Sequence, residues 1–306
     1  MSEIFSTKGL GWKRDRSGDP DFTLDKIKKD VQNQAISLDE KKVAMKIQEE
    51  YLLHVDDEIF EGEVDLRRHC SPIKNQGSIG SNTANAAIGL LEYYELKNYQ
   101  KYTNYSSLFL YKVTRQLLNW EGDTGAFLST TIKAMELIGI LPAEYYTYKT
   151  SQFDEDIRPI WYNIASNYKV TKSLRLDSPK IDPNKLLNRV KGFLKARIPS
   201  MFGFYFSNSL FQAPNDGNIP FLSKDEKIMG GHAVAAVGFN DDKVIKNHED
   251  GTVTKGALLI RNSWGKEWGE EGYGWLPYKY VEEKLSNDWW VIIEAELKQN
   301  KITLYP

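Results

Sequence analysis

RNSWGKEWGEEGYG, residues 261–274, sets two tryptophans among four glycines. Alone, such a stretch reads as packing in a turn-rich segment. Two other stretches also carry features that packing does not call for. NQGSIGSNTANA, residues 75–86, runs a Gly-rich turn straight into a helix, with Asn82 at the helix start. GGHAV, residues 230–234, opens an apolar strand with a lone histidine, His232. Each has an ordinary explanation, since a histidine opening a strand is more often a satisfied polar residue than a catalyst. Three in this order argue for one site assembled from distant parts of the chain.

The surrounding texture places them. Residues 82–97 carry Ala84, Ala87, Ile88, Leu91 and Tyr94 at steps of three and four, the spacing of a helix face. Helices are also expected at 106–119, at 126–138 stopped by Gly139, and at 184–196. Further along, 200–206, 232–239, 256–261, 273–277 and 289–295 read as strands between turns. Helices lead and strands follow, which predicts an α+β fold with two segregated lobes. A further amphipathic helix is expected at 38–53, opened by the capping-box pattern of Ser37 and Glu40.

Together the stretches resemble the papain-like cysteine peptidases. The resemblance rests on Gln76 through Ser81, on Gly231-His232-Ala233-Val234, and on Asn262-Ser263-Trp264-Gly265 with its trailing Trp268-Gly269 and Gly272-Tyr273. It covers about residues 62–290, and the Asn-Ser-Trp-Gly stretch is its most specific part. Residues 64–67, 107–111 and 122–125 echo bacterial cytosolic-type members. The resemblance implies a papain-like two-lobed fold: a helical lobe (about 61–165), then an antiparallel β-rich lobe (about 166–290), the cleft between them, and a tail at 291–306. Residues 1–60 become an N-terminal extension, either a packing element or a segment covering the cleft. Residues 207–229 are the expected loop insertion of the strand lobe.

Such a site sets a cysteine at a helix N-terminus, where free N–H groups and the helix dipole stabilise a thiolate. A histidine pairs with it and later protonates the leaving amine. By resemblance, His232 is that general base and acid, Asn262 orients its ring, Trp264 shields the bond, and Gln76 lines the oxyanion hole. Gly80 and Ser81 are supporting residues. Gly122, Asp123, Gly125 and Gly231 are candidates for contacting a bound peptide. The nucleophile position falls on Asn82, 150 residues before His232 and 180 before Asn262. A carboxamide neither ionises usefully nor attacks carbonyls. Asn is instead a favoured N-cap, expected to accept from a free backbone N–H, and it can donate to a neutral His232. Ser81 is rotated about 100° away on the helix. Cys70, twelve residues upstream, is expected in a strand-like segment as a buried structural residue.

Composition bounds the remainder. The 306 residues carry 40 basic and 42 acidic side chains, a net charge of −2 that favours neither nucleic acid nor membrane. The basic stretches at 13–16 and 185–197 read as solvated faces. One cysteine excludes an intrachain disulfide and fits a reducing, cytoplasmic compartment. The N-terminus lacks the apolar core of a signal peptide, and no run reaches the length of a membrane span. The four histidines, His54, His69, His232 and His248, form no metal-ligand pattern, and no cofactor is expected. The expected function is a papain-like homologue that binds an extended peptide or protein segment and is inactive as a peptidase. The cause is either a natural loss or a replaced cysteine. The alternative is a structural or interaction protein with a closed cleft. Self-processing at Asn82 is the weakest reading, because a helix start disfavours the strained imide it needs.

Overall fold

The expected helix at 82–97 forms as α1, Asn82–Tyr99. In the computed structural model, which describes residues 9–15, 23–26, 29, 56, 58–297 and 300–303, α1 runs through the core. Its first fourteen residues are buried, so it has no solvent face over that length, and its alanines admit neighbours on all sides. It stops at Gln100, whose φ of 56° and N–H bond to the Leu96 carbonyl close the last turn. Helix α2, Ser107–Leu117, is capped by Ser106, whose hydroxyl accepts from the Phe109 N–H. Helix α3, Leu128–Leu137, ends before Gly139, whose φ is 103°. A Cβ there would lie 2.1 Å from the Ala165 carbonyl oxygen, so the turn needs glycine. Helix α4, Pro159–Ala165, follows, and α5, Pro183–Lys195, starts at an Asp182 cap with proline in its first turn.

The strands are β1 (Glu63–Asp65), β2 (Tyr168–Arg175), β3 (Ser200–Phe206), β4 (Gly230–Lys246), β5 (Val253–Arg261), β6 (Tyr273–Pro277), β7 (Ser286–Leu297) and β8 (Asn300–Thr303). They form one antiparallel sheet in the order β2-β7-β3-β4-β5-β6, with β1 on β4 and β8 on β7. A short helix, α6 (Lys279–Glu282), joins β6 to β7. This is the expected α+β arrangement, with helices leading and an antiparallel sheet following. Helix α1 packs against β4 and β3, which brings its N-terminus opposite the start of β4. Register sets Phe204 beside His232, and Ala235 beside Arg261, so Asn262 leaves β5 close to the histidine.

Several readings need correction. The basic stretch at 185–197 is a solvated face only in part: Lys185, Lys195 and Arg197 are exposed, but Lys191 is buried and Arg189 is fully buried, donating to Asp56 at 2.9 Å and to Asp25 at 2.7 Å. Cys70 follows a 3-10 turn, Arg67–His69, rather than lying in a strand, and is half-buried. Residues 207–229 hold a 3-10 turn, Asn208–Gln212, and otherwise loop, held by Glu226, which accepts from the Ser209 and Ser223 N–H groups. The helix at 38–53 lies outside the described residues, as does most of the 1–60 extension. No helix among the described residues is long and apolar enough to cross a membrane.

Candidate active site

The site is a row of three side chains from three elements. Asn262, just past β5, sets its direction. Its Oδ1 accepts the neighbouring Ser263 N–H at 2.8 Å and lies 2.8 Å from His232 Nε2. An oxygen facing Nε2 requires the proton there, so Nδ1 is the bare acceptor. Asn82 therefore presents Nδ2, at 3.0 Å, to His232 Nδ1. The Asn82 carboxamide is thus oriented from across the cleft. Its Oδ1 is buried and has no hydrogen-bond partner among the described residues. The N-cap of α1 is Ser81, not Asn82, and neither side chain caps the helix. The expected N-cap bond is absent because the His232 contact turns the amide away.

All three are enclosed: Asn82 is 0% exposed, His232 1% and Asn262 4%. Burial pushes the His232 imidazole down to about 4, against the upward pull of the Asn262 bond. It is neutral at pH 7. The Trp264 ring lies 4.5 Å from the imidazole at 31°, and the Phe204 ring meets it edge-on at 6.0 Å.

Gln76 lies on the same wall. Its N–H donates to the Ser263 carbonyl, and its Oε1 accepts the Ser263 hydroxyl at 2.5 Å. Its Nε2 then donates to the Ile79 carbonyl at 3.0 Å and to the Gly9 carbonyl at 2.8 Å. Ser81 faces elsewhere, in a 2.6 Å bond with the Tyr148 hydroxyl. Gly80 donates its N–H to Asp123 Oδ1 at 2.8 Å; the same oxygen accepts the Tyr111 hydroxyl, which in turn accepts the Gly125 N–H. Asp123 thus acts behind the cleft wall, tying Gly80 to the 122–125 loop. Gly122 shapes that loop with a φ of 73°, its carbonyl accepting from Arg115.

The groove holds the chain's own residues 9–15. Gly9 donates its N–H to the Gly77 carbonyl. The Gly11 carbonyl accepts from Ala126 at 2.7 Å, and the Ala126 carbonyl accepts from Lys13 at 3.0 Å. Trp12 lies across the face of β3 and β4, over Gly203 and Gly231, and is 4% exposed. Ideal Cβ atoms at Gly203 and Gly231 would lie 2.0 Å and 2.4 Å from its indole, so both positions need glycine. Of the four candidate peptide-contacting residues, Gly125 and Gly231 touch this segment, whereas Gly122 has nothing within 4 Å of an ideal Cβ.

The comparisons with known proteins fit this geometry. Residues 61–287 match the family described as "Papain family cysteine protease". The chain belongs to the papain family of cysteine proteases. Among papain-family relatives, an "Uncharacterized peptidase C1-like protein L477" of Acanthamoeba polyphaga mimivirus is 33% identical over 79% of this chain and 78% of its own. The crystal structure of xylellain, a cysteine protease from Xylella fastidiosa, superimposes with a TM-score of 0.71 at 25% identity, covering 94% of this chain and 96% of that one. Digestive procathepsin L 3 from Tenebrio molitor larval midgut shares the fold, with a TM-score of 0.57 at 19% identity over 76% and 70%.

Against this papain-family frame, position 82 carries Asn82, and the single cysteine lies elsewhere. Burial raises the Cys70 thiol, and its Sγ points at the Leu66 carbonyl at 3.7 Å. Among the described residues no cluster of three His, Cys, Asp or Glu side chains can hold a metal. Sequence reasoning missed Asp288. It stands on a bulge of β7, where Met201 pairs with Trp290 but Gly203 with Asn287, and its φ is 58°. Bulges re-aim side chains, and this one turns Asp288 toward Trp12. A single acid between Asn287 and Trp289, just ahead of an apolar run, carries no periodic signal that would have found it.

Proposed function

We propose that this papain-family chain holds an extended peptide segment in its cleft and does not hydrolyse it. The observation that carries the reading is the Asn82 carboxamide placed 3.0 Å from His232 Nδ1, where a nucleophile would have to stand. An amide nitrogen shares its lone pair with the carbonyl and forms no acyl intermediate. It also occupies the one lone pair with which His232 would take a proton. His232 as general acid and base, Asn262 as its orienter and Gln76 as oxyanion donor remain the roles these residues would fill around a thiolate. The single cysteine supports a reducing, cytoplasmic setting.

The test compares peptide hydrolysis by the full chain with that by Asn82→Cys, each with and without Gly9→Val and Gly11→Val, which clear the groove. The expected result is no turnover by either Asn82 protein and turnover by the cleared Asn82→Cys protein. Turnover by an Asn82 protein, or none by the cleared Cys protein, overturns the reading. A second reading, a closed-cleft interaction protein, draws support from the seated residues 9–15. It predicts that no added peptide enters the cleared groove.

A further inference from the structure

The segment in the groove is held by contacts that depend on its sequence. An ideal Cβ on Gly9 would lie 1.9 Å from the Ile79 carbonyl oxygen, and one on Gly11 would lie 1.8 Å from that of Gly80. Both obstacles are backbone, so neither can swing aside. Leu10, between them, is 43% exposed and points outward. Trp12 enters a slot with Tyr205 at 5.1 Å and the bare Cα atoms of Gly203 and Gly231 as walls. At the floor stands Asp288, 0% exposed, whose Oδ2 accepts the indole N–H at 3.1 Å and the Asp15 N–H at 3.0 Å. Its Oδ1 accepts Arg175 Nη2 at 2.9 Å, and Asp177 accepts the Asp288 N–H. The acceptor is therefore fixed before the indole arrives, in a slot where a leucine or phenylalanine would leave one of its bonds unmade.

From these contacts we infer that the groove is a sequence-selective receptor for extended segments of the form Gly-X-Gly-Trp, with Asp288 as the residue that selects tryptophan. The inference rests on the reading of the cleft as a peptide-binding site and names the peptide it takes. The first and third positions are restricted to glycine by the Ile79 and Gly80 carbonyls. The second is permissive because it faces solvent. The fourth is restricted to a flat aromatic side chain with an N–H at its far edge.

The experiment uses the full chain carrying Gly9→Val and Gly11→Val, whose side chains cannot re-seat against those carbonyls, with circular dichroism as a check on folding. A fluorescent, end-capped peptide of residues 9–15, GLGWKRD, is titrated in and followed by anisotropy. Three partners are run beside it: Trp replaced by Phe, the second Gly replaced by Ala, and the X residue replaced by Ser. Loss of a hydrogen bond to a charged group predicts roughly 10- to 100-fold weaker binding for the Phe peptide. The Ala peptide should show no binding, and the Ser peptide should bind within about threefold of the parent. Adding Asp288→Asn should bring the Trp and Phe peptides closer together. If all four peptides bind alike, the selectivity is overturned while the peptide-binding reading stands. If none binds to the folded protein, both fail. Should the double valine chain not fold, Trp12→Ala vacates the slot alone, and the same ranking of peptides is required.

Discussion

The Ser263 hydroxyl donates to Gln76 Oε1 at 2.5 Å, and this bond decides which end of the Gln76 carboxamide faces the groove. With Oε1 held, Nε2 must point to the Ile79 and Gly9 carbonyls. Ser263 neighbours Asn262, whose Oδ1 its N–H also holds, so one residue orients the amides on both sides of the site.

Ser263→Ala should therefore leave Gln76 Oε1 buried without its partner, at a cost of about 1–3 kcal/mol. Urea unfolding reads this directly. In an Asn82→Cys background with the groove cleared, the same change should lower kcat more than it raises KM, because the amide would no longer be fixed toward the oxyanion position. An unchanged kcat would remove Ser263 from that orienting role.

Gly203→Ala or Gly231→Ala should unseat residues 9–15. Either methyl would overlap the Trp12 indole, at 2.0 Å or 2.4 Å. The walls are strand backbone in the middle of the sheet and cannot retreat, so the indole must leave. Trypsin should then cut after Lys13 and Arg14 at least ten times faster than in the parent, measured by intact mass against time. Equal cleavage rates would mean that the slot does not hold the segment.

Much of the candidate site was legible because it resides in short motifs. Gln76, Asn82, His232 and Asn262 could be named because those motifs resemble the papain-like peptidases, and the fold brings together side chains 150 and 30 residues apart. The long helices were legible from periodicity. Strand β2 was not: its lysines at 169 and 172 and the register shifts beside 172 break the alternation that marks a strand. Helix α4 has seven residues, too few for a period to show. Arg189 looked solvated because its partners, Asp25 and Asp56, are more than 130 residues away in sequence. Residues 9–15 carry no hydrophobic period: one buried side chain, Trp12, and a steric requirement for glycine at positions 9 and 11 seat them.

Asp288 and His232 should oppose each other in the dependence of stability on pH. Burial raises the Asp288 carboxyl to about 6, with the Arg175 charge pulling the other way and Asp177 adding to the rise; Asp15 is the other acid nearby. The folded state thus binds the extra proton, and this contribution is full below about 3.8 and lost as pH rises through 6. His232, held at about 4, behaves in reverse: its contribution is full above about 6.5 and lost as pH falls through 4. Between pH 4 and 6 the two slopes offset. Asp288→Asn should expose the His232 slope, so that the variant loses up to about 3 kcal/mol relative to the parent on going from pH 6 to pH 4. Urea unfolding at three pH values checks it, and parallel profiles for the two proteins would refute it.

Asn82→Asp should reverse the protonation of His232 without enlarging the side chain. In the parent, Asn82 Nδ2 donates to a bare Nδ1, while Asn262 Oδ1 fixes the proton on Nε2. A carboxylate has no proton to offer, so at position 82 it would set an oxygen against the Nδ1 lone pair. The repulsion is relieved if Nδ1 takes a proton, giving an imidazolium bonded at both nitrogens. The negative side chain also gains from its place at the start of α1, where no acidic residue stands in the first turn. His232 should then titrate above its ordinary value of about 6.5 rather than near 4, an upward move of more than two units readable by NMR of the ring carbons. If the ring instead stays neutral down to pH 5 in the folded variant, the orientation of the whole row, inferred from the Asn262 oxygen outward, is wrong.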